Sequence, residues 1–259
     1  MKQLKQWSQS MINRIISMSF LIFMCISSMC MFVIALIIWL LTVTFDKKLK
    51  ILHLFSSFWA SMYIWLMPAW SVTIKGKENI DKNKTYVIIS NHQSLLDILV
   101  AFRLFFHFKW VSKEEIFKIP FIGWNMRLNR YIALRRGDKE SVQQMFDDCN
   151  KAISQESSVF MFPEGTRSKT RQLKSFKPGA FILAKDNQIP ILPIAISGTR
   201  EALPKHSLNF HGKNPILVEI LPEISSDTVN ELSVQELSDK VHSEISKKVL
   251  MNYGIIDTP

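Results

Sequence analysis

The N-terminal part of the chain carries the feature that most restricts its fold: from residue 15 to residue 45, 31 consecutive residues have no charged side chain. About 20 predominantly apolar residues are enough for a helix to cross the hydrocarbon core of a bilayer. The run is too long for the apolar core of a signal peptide, and no small-residue cleavage site follows it. The sequence therefore predicts a membrane-embedded helix here.

A second apolar stretch, residues 51–74, follows a short charged connector and is rich in Trp and Tyr. These side chains favour the boundary between lipid and water, because an apolar ring carries a polar N–H or O–H. The two stretches predict a membrane hairpin, or one spanning helix followed by an interfacial one; two buried helices of a soluble core are the alternative. Residues 1–74 are thus expected to be membrane-embedded, and residues 75–259 to form the folded domain. Basic residues on both sides of the first run leave its orientation open.

The charge balance of the chain is strongly basic, with a formal net charge of +10 at pH 7. Such a charge suits nucleic acid, an anionic membrane or an acidic substrate. No zinc finger, helix-turn-helix or RNP-like pattern is found, so an anionic membrane is the favoured partner and nucleic acid is not. Two of the three cysteines, Cys25 and Cys30, lie in the apolar run, and the third is Cys149. They predict no disulfide framework, and a cytoplasmic face for the folded domain is expected.

Beyond residue 84, short apolar runs alternate with helical patterns, which is typical of an α/β domain with βαβ units. Strands are predicted at residues 86–90, 109–112, 131–134, 158–162, 191–197 and 216–221. Helices are predicted at residues 95–106, 139–155, 178–186 and 234–251. The expected fold is a single α/β domain with a mixed, largely parallel sheet flanked by helices, behind the N-terminal hairpin.

A histidine and an aspartate five residues apart, His92 and Asp97, follow the first predicted strand in the stretch NHQSLLD. On one helix they would point about 140° apart, so they meet only if His92 lies in the turn before the helix. Ser94 as N-cap and Asp97 three residues later fit a capping box there. Asp97 would then accept the Nδ1–H of His92 and leave Nε2 free to take a proton. The alternative is that Asp97 only caps the helix.

The stretch FPEGTR, residues 162–167, follows another predicted strand. A proline and a glycine favour a tight turn whose N–H groups can face an anion, and Arg167 offers a planar fork suited to phosphate. An ordinary strand–loop–helix junction is the alternative. Lys113 and the pair Arg135-Arg136 follow two further strands, so basic residues are expected to converge at one edge of the sheet, where ligands bind in α/β folds.

These motifs together resemble the glycerolipid acyltransferase family, typified by 1-acylglycerol-3-phosphate acyltransferases. NHQSLLD matches the family's NHxxxxD motif, FPEGTR matches intact, and IPILP at residues 189–193 resembles its proline-containing apolar motif. The resemblance covers roughly residues 74–221. The family's second block departs from the pattern, because its glycine and phenylalanine are missing before Arg136, and Arg135 is an alternative to Arg136. Lys113 matches a family lysine implicated in binding the headgroup phosphate.

The resemblance implies transfer of an acyl group from acyl-CoA or acyl-carrier protein to a lysophospholipid hydroxyl, giving phosphatidic acid from 1-acylglycerol 3-phosphate. It implies His92 as general base, oriented by Asp97. It implies a phosphate site formed by Lys113, Arg136, Glu164, Gly165, Thr166 and Arg167. No metal or cofactor is expected, since a thiolate is a good leaving group and the chain has no GxSxG or HExxH motif. His206 and His211 are expected to be surface residues.

Three alternatives remain at this point. The first is a different acceptor, such as glycerol 3-phosphate or a lyso-ornithine lipid, although the basic cluster favours a phosphate. A thioesterase-like hydrolase would use His92 and Asp97 to activate water. A catalytically silent membrane-binding protein would keep the motifs as scaffolding. For the enzyme, the expected location is a membrane with the catalytic domain on its cytoplasmic face, the inner membrane in a bacterium.

Overall fold

The computed structural model describes residues 2–168, 170–204 and 213–255, so His206 and His211 lie outside the described residues. Its sheet has seven strands in the order β1-β7-β6-β2-β5-β3-β4. The strands are β1 (Trp70–Lys75), β2 (Val87–Ser90), β3 (Phe108–Lys113), β4 (Ile132–Leu134), β5 (Ser158–Met161), β6 (Ile191–Ser197) and β7 (Asn214–Ile220).

Five neighbouring strands, β6, β2, β5, β3 and β4, run parallel. β7 is antiparallel to β6, and β1 pairs parallel with β7. The predicted mixed, largely parallel sheet is therefore confirmed, and each of the six predicted strands is present with bounds shifted by at most two residues.

Helices cover both faces of this sheet. They are α1 (Lys2–Thr42), α2 (Lys50–Trp65), α3 (Leu96–Phe102), α4 (Ile122–Leu128), α5 (Lys139–Ser154), α6 (Gly179–Asp186), α7 (Thr199–Ala202), α8 (Ser226–Glu231) and α9 (Val234–Asn252). Successive side chains of a strand point to opposite faces, so Ile88 of β2 packs with α2 and α3, and Ile89 packs with α5, α6 and α9. A strand buried on both faces reads as a continuous apolar run, which is why β2 was recognisable in the sequence.

The N-terminal region differs from the sequence prediction in its second half. The second apolar stretch forms a helix only over Lys50–Trp65, and Pro68 follows in a turn. The chain then enters the sheet as β1 at Trp70, so the expected boundary between residues 74 and 75 falls inside a strand. Proline lacks the N–H that would continue a helix, and the residues after Trp70 alternate polar and apolar as a strand requires.

Among the described residues, one helix, Ile15–Thr42, is long and apolar enough to cross a membrane by its length and composition. It packs against α2, where the hydroxyl of Tyr63 lies 3.0 Å from those of both Ser27 and Ser28. α2 also buries polar residues against the domain, including His53, whose ring forms a hydrogen bond of 2.8 Å with the hydroxyl of Tyr131. The second helix is therefore partly a core helix of the domain, the alternative considered for it above.

Candidate active site

The predicted site residues gather at one edge of the sheet because the strands that precede them are parallel neighbours. The order β2, β5, β3, β4 places the loop after each strand beside the next, about 4.8 Å apart in the hydrogen-bonding direction. His92 follows β2, the turn 162–167 follows β5, Lys113 ends β3 and Arg136 follows β4. The strand order therefore brings the basic residues to the same edge of the sheet, as expected from the sequence.

His92 and Asp97 form a buried pair, with Nδ1 of His92 2.8 Å from Oδ2 of Asp97. The same oxygen accepts the backbone N–H groups of Gln93 at 2.6 Å and Ser94 at 2.8 Å. Backbone N–H groups only donate, so Oδ2 is an acceptor and the proton of the pair lies on Nδ1. In the neutral imidazole with its proton on Nδ1, Nε2 carries a lone pair and can take a proton from a bound hydroxyl.

The helix start differs from the capping box predicted from the sequence. Leu95 is the N-cap of α3, and it has helical angles, φ −62° and ψ −25°. The hydroxyl of Ser94 accepts the N–H of Leu96 at 3.2 Å and donates to the carbonyl of Leu203 at 2.6 Å. One of the two hydrogen bonds of the expected capping box is present, because the Asp97 carboxylate accepts the N–H of Ser94. The other is absent, because the hydroxyl of Ser94 binds Leu203 instead of the N–H of Asp97. Capping and orientation of His92 are thus performed by the same carboxylate.

The loop that carries His92 is tied to its neighbours on both sides. The side-chain amide of Asn91 exchanges two hydrogen bonds of 2.8 Å with the backbone of Ile196 in β6, as a neighbouring strand would. The carbonyl of His92 accepts the N–H of Ser168 at 2.8 Å. The imidazole stacks on Phe162, with ring centroids 4.2 Å apart and planes at 15°. These contacts leave the ring little freedom to leave the orientation that Asp97 imposes.

Glu164 has a role other than the phosphate contact that the family resemblance implied. Its Oε1 accepts the backbone N–H of His92 at 2.7 Å, and its Oε2 accepts that of Lys174 at 3.0 Å. Burial raises the pKa of Glu164, and the two N–H donors oppose that rise. A carboxylate already used by two backbone donors is a poor ligand for an anion, because like charges repel. Glu164 therefore joins the loop and the turn, and its contact with a phosphate stays a prediction.

The turn after β5 presents cations from two segments. Gly165 has a positive φ of 68°, and a methyl group added to it would lie 3.2 Å from Nζ of Lys177. Lys174 donates from Nζ to the hydroxyl of Thr166 at 2.7 Å, and Arg167 lies beside them, half-buried. Within the described residues no carboxylate forms an ion pair with Arg167, Lys174 or Lys177. Lys177 is thus a candidate site residue outside the FPEGTR motif, and the lysines that follow the motif in the sequence were its signal.

Lys113, one strand farther along the edge, is half exposed and pairs with Glu115 at 2.8 Å. An exposed ion pair of this kind is worth at most about 1 kcal/mol, so a phosphate can replace the carboxylate. Lys113 thus remains available to an anion bound at the turn.

The two arginines after β4 are not equivalent. Arg135 is held by Glu114 at 2.7 Å and by Asp138 at 3.0 Å. Arg136 is exposed in the following turn, and in the part of the chain that the structure describes it has no ion-pair partner. Arg136 is therefore the arginine left to bind an anion, but it follows a strand two positions from β5, about 10 Å away by strand spacing. It lies at the outer end of the cationic edge.

Within the described ranges no three side chains of His, Cys, Asp or Glu gather as a metal ion would require. The expectation that the chemistry needs no metal or cofactor stays a prediction.

A buried histidine–aspartate pair beside a cationic turn is suited to general-base chemistry on an anionic group, and the comparisons with known proteins identify the family. The family model described as Acyltransferase matches residues 71–197. A relative from Chlamydomonas reinhardtii, named a 1-acyl-sn-glycerol-3-phosphate acyltransferase, is 32% identical over 224 residues, covering 84% of this chain and 67% of the relative. The chain therefore belongs to the acyltransferase family, and the resemblance seen in the motifs is confirmed.

Two further comparisons bear on the extent of this similarity. A chloroplastic 1-acyl-sn-glycerol-3-phosphate acyltransferase of Arabidopsis thaliana is 38% identical over 172 residues, which are 65% of this chain and 48% of the relative. The chain thus spans about half the length of that relative. The crystal structure of the 1-acyl-sn-glycerophosphate (LPA) acyltransferase from Thermotoga maritima matches with a TM-score of 0.82 at 22% identity, covering 96% of this chain and 99% of the other. That match confirms the fold.

Proposed function

We propose that this chain transfers a fatty acyl group from a thioester, acyl-CoA or acyl-carrier protein, to the sn-2 hydroxyl of 1-acylglycerol 3-phosphate, giving phosphatidic acid. The observation that carries the proposal is the oriented pair of His92 and Asp97, 2.8 Å apart, one strand from a turn with the cations Arg167 and Lys177. Relatives named 1-acyl-sn-glycerol-3-phosphate acyltransferases support the choice of acceptor.

The reaction follows from the state of the imidazole. Nε2 of His92 takes the proton of the acceptor hydroxyl as its oxygen attacks the thioester carbonyl carbon. The tetrahedral intermediate then collapses, the carbon–sulfur bond breaks, and the proton passes from Nε2 to the departing thiolate. Asp97 stabilises the imidazolium that exists between the two proton transfers, since its Oδ2 accepts the Nδ1–H throughout. General-base help of this kind contributes about 10²- to 10⁴-fold.

The phosphate site positions the acceptor for this attack. Two carbons and one ester oxygen separate the sn-2 hydroxyl from the phosphorus, a length comparable with the strand spacing of about 4.8 Å between β2 and β5. A phosphate held at Gly165 and Arg167 therefore brings the hydroxyl towards His92. Binding energy spent in this way raises the rate because it fixes the reacting atoms in position.

The membrane is the proposed source of the acceptor, and the apolar N-terminal helix supports this. The ring of Phe20 lies 6.1 Å from Trp70 at the start of β1, and the ring of Phe32 lies 5.4 Å from Trp124 of α4. The helix thus packs against the domain while most of its other large side chains are exposed. Lipid contact on that exposed surface would keep the acyl chain in the bilayer as the headgroup enters the site. The cytoplasmic face is proposed for the domain because the cysteines form no disulfide framework.

The test is a product assay with the whole protein and vesicles containing 1-acylglycerol 3-phosphate, read by mass spectrometry with acyl-CoA and acyl-carrier protein in separate arms. Phosphatidic acid is expected, and a rate lowered about 10²- to 10⁴-fold in His92→Ala and unchanged in His242→Ala, a histidine on α9, would support the base. Thiol release that is unchanged by the acceptor would indicate a hydrolase and overturn the proposal. Vesicle flotation at high salt tests membrane attachment, and failure to float would contradict it.

A further inference from the structure

Thr199 lies directly against the proposed catalytic pair, although it is 102 residues from Asp97 in the sequence. It is the first residue of α7, it is fully buried, and its Oγ1 donates a hydrogen bond to Oδ1 of Asp97. The three donors described above, from His92, Gln93 and Ser94, all bind the other oxygen, Oδ2. The two oxygens of this carboxylate are thus held by separate parts of the chain.

We infer that Thr199 is a positioning residue of the acyl transfer, which locks the Asp97 carboxylate so that Oδ2 stays aligned with Nδ1 of His92. A carboxylate turns about its bond to Cβ, and a hydrogen bond on Oδ1 opposes that turn. Bonds to a charged group are among the stronger ones in proteins. The imidazole is oriented only as firmly as the carboxylate that holds it.

Contacts of the neighbouring backbone fix the position of the Thr199 hydroxyl. Gly198 has a φ of 85°, and a Cβ on it would lie 2.1 Å from the carbonyl oxygen of Pro215, so a larger residue does not fit. The Gly198 N–H donates to the hydroxyl of Tyr253 at 3.0 Å. On the strand before it, the backbone of Ile196 is bonded to the side chain of Asn91. β6 and the loop after β2 are therefore fixed to each other at the point where Thr199 meets Asp97.

The inference rests on the proposed acyl transfer, and its test uses variants that differ in one hydroxyl. Thr199→Ser and Thr199→Ala both remove the methyl group, and only the serine keeps the donor. Thr199→Val keeps the shape and loses the donor. The alanine and valine variants are expected to lower kcat about 10- to 100-fold, the effect of losing one bond to a charged group, with KM for acceptor and donor unchanged. Thr199→Ser is expected to stay within about threefold of the wild type.

A further arm separates positioning from mere folding. In the His92→Ala background, Thr199→Val is expected to cause no further loss, because a residue that acts through the imidazole has nothing left to orient. Equal kcat for the serine and alanine variants would overturn the inference, and so would an alanine variant that fails to fold while the serine variant is active. Absence of phosphatidic acid from the wild type would instead overturn the proposed function, so the two failures are distinguishable.

Discussion

Glu164 and His92 lie 72 residues apart in the sequence and are joined by a hydrogen bond of 2.7 Å from the His92 N–H to Oε1. The second oxygen of the same carboxylate binds the N–H of Lys174. One buried side chain thus couples the loop that holds the base to the two sides of the cationic turn. In the proposed reaction, this carboxylate therefore fixes the distance between His92 and the turn that would bind the phosphate.

Glu164→Gln tests this coupling role. An amide has one acceptor oxygen for two backbone donors, and its NH₂ group faces the second N–H, so about 1–3 kcal/mol of stability should be lost. We expect a lower Tm and a lower kcat, with KM for the lysophospholipid little changed. Glu223→Gln, which breaks an exposed pair with Lys84, is the matched control and should have a small effect. A rise in KM alone would return Glu164 to the phosphate site.

Replacement of the cations at the turn tests the proposed phosphate site. Arg167→Ala and Lys177→Ala each remove one charge-assisted contact with the phosphate, so KM for 1-acylglycerol 3-phosphate should rise about 10- to 100-fold, measured by initial rates. Thermal stability should change little, since neither side chain is ion-paired within the described residues. Arg135→Ala is the control, because Glu114 and Asp138 already hold that guanidinium. An unchanged KM in the two test variants would remove the phosphate site from the turn.

Gly165→Ala examines the turn itself. The substitution places a Cβ at φ 68°, which costs about 1–2 kcal/mol, and sets it 3.1–3.2 Å from Cε and Nζ of Lys177. Gly254→Ala has the same type of strain at φ 64°, with nothing within 4 Å of the added Cβ. Both variants should lose similar stability in a thermal scan, and only Gly165→Ala should also raise KM for the acceptor. Equal KM values in the two variants would contradict the placement of the phosphate beside Lys177.

The success and failure of the sequence predictions have identifiable causes. Six of the strands could be predicted from short apolar runs. The contact between His92 and Asp97 could be predicted because the two residues are only five positions apart and a helix begins between them. Thr199 was not predicted, since its contact with Asp97 arises only when β6 and β2 become neighbours in the sheet. The strand Trp70–Lys75 was not predicted, because its residues continue the apolar stretch that forms the helix before it. The contacts of Glu164 with the N–H groups of His92 and Lys174 were not predicted, because a motif shows which residues occur together and not which atoms a buried carboxylate binds.

Lys109, on β3, carries a pH dependence of stability that is independent of the site. Its amine is buried and donates to the carbonyls of Lys48 at 2.9 Å and Asn129 at 2.8 Å. Burial lowers the pKa of Lys109 from 10.5 to about 7, Arg130 adds to the shift, and Asp46 opposes it. A neutral amine still has two N–H donors, so both bonds survive deprotonation. The charge therefore has a cost in the folded protein and none in the unfolded chain.

Between pH 7 and about 10 the unfolded chain binds this proton and the folded protein does not, so the free energy of unfolding should rise with pH by up to about 1.36 kcal/mol per unit. Lys109→Met removes the titrating group, and its unfolding, followed in detergent between pH 7 and 9, should lose that part of the slope. Lys82→Met, at an exposed position, should retain it. A Lys109→Met protein with the wild-type slope would show that the buried amine stays charged, and the carbonyls of Lys48 and Asn129 would then be binding an ammonium group.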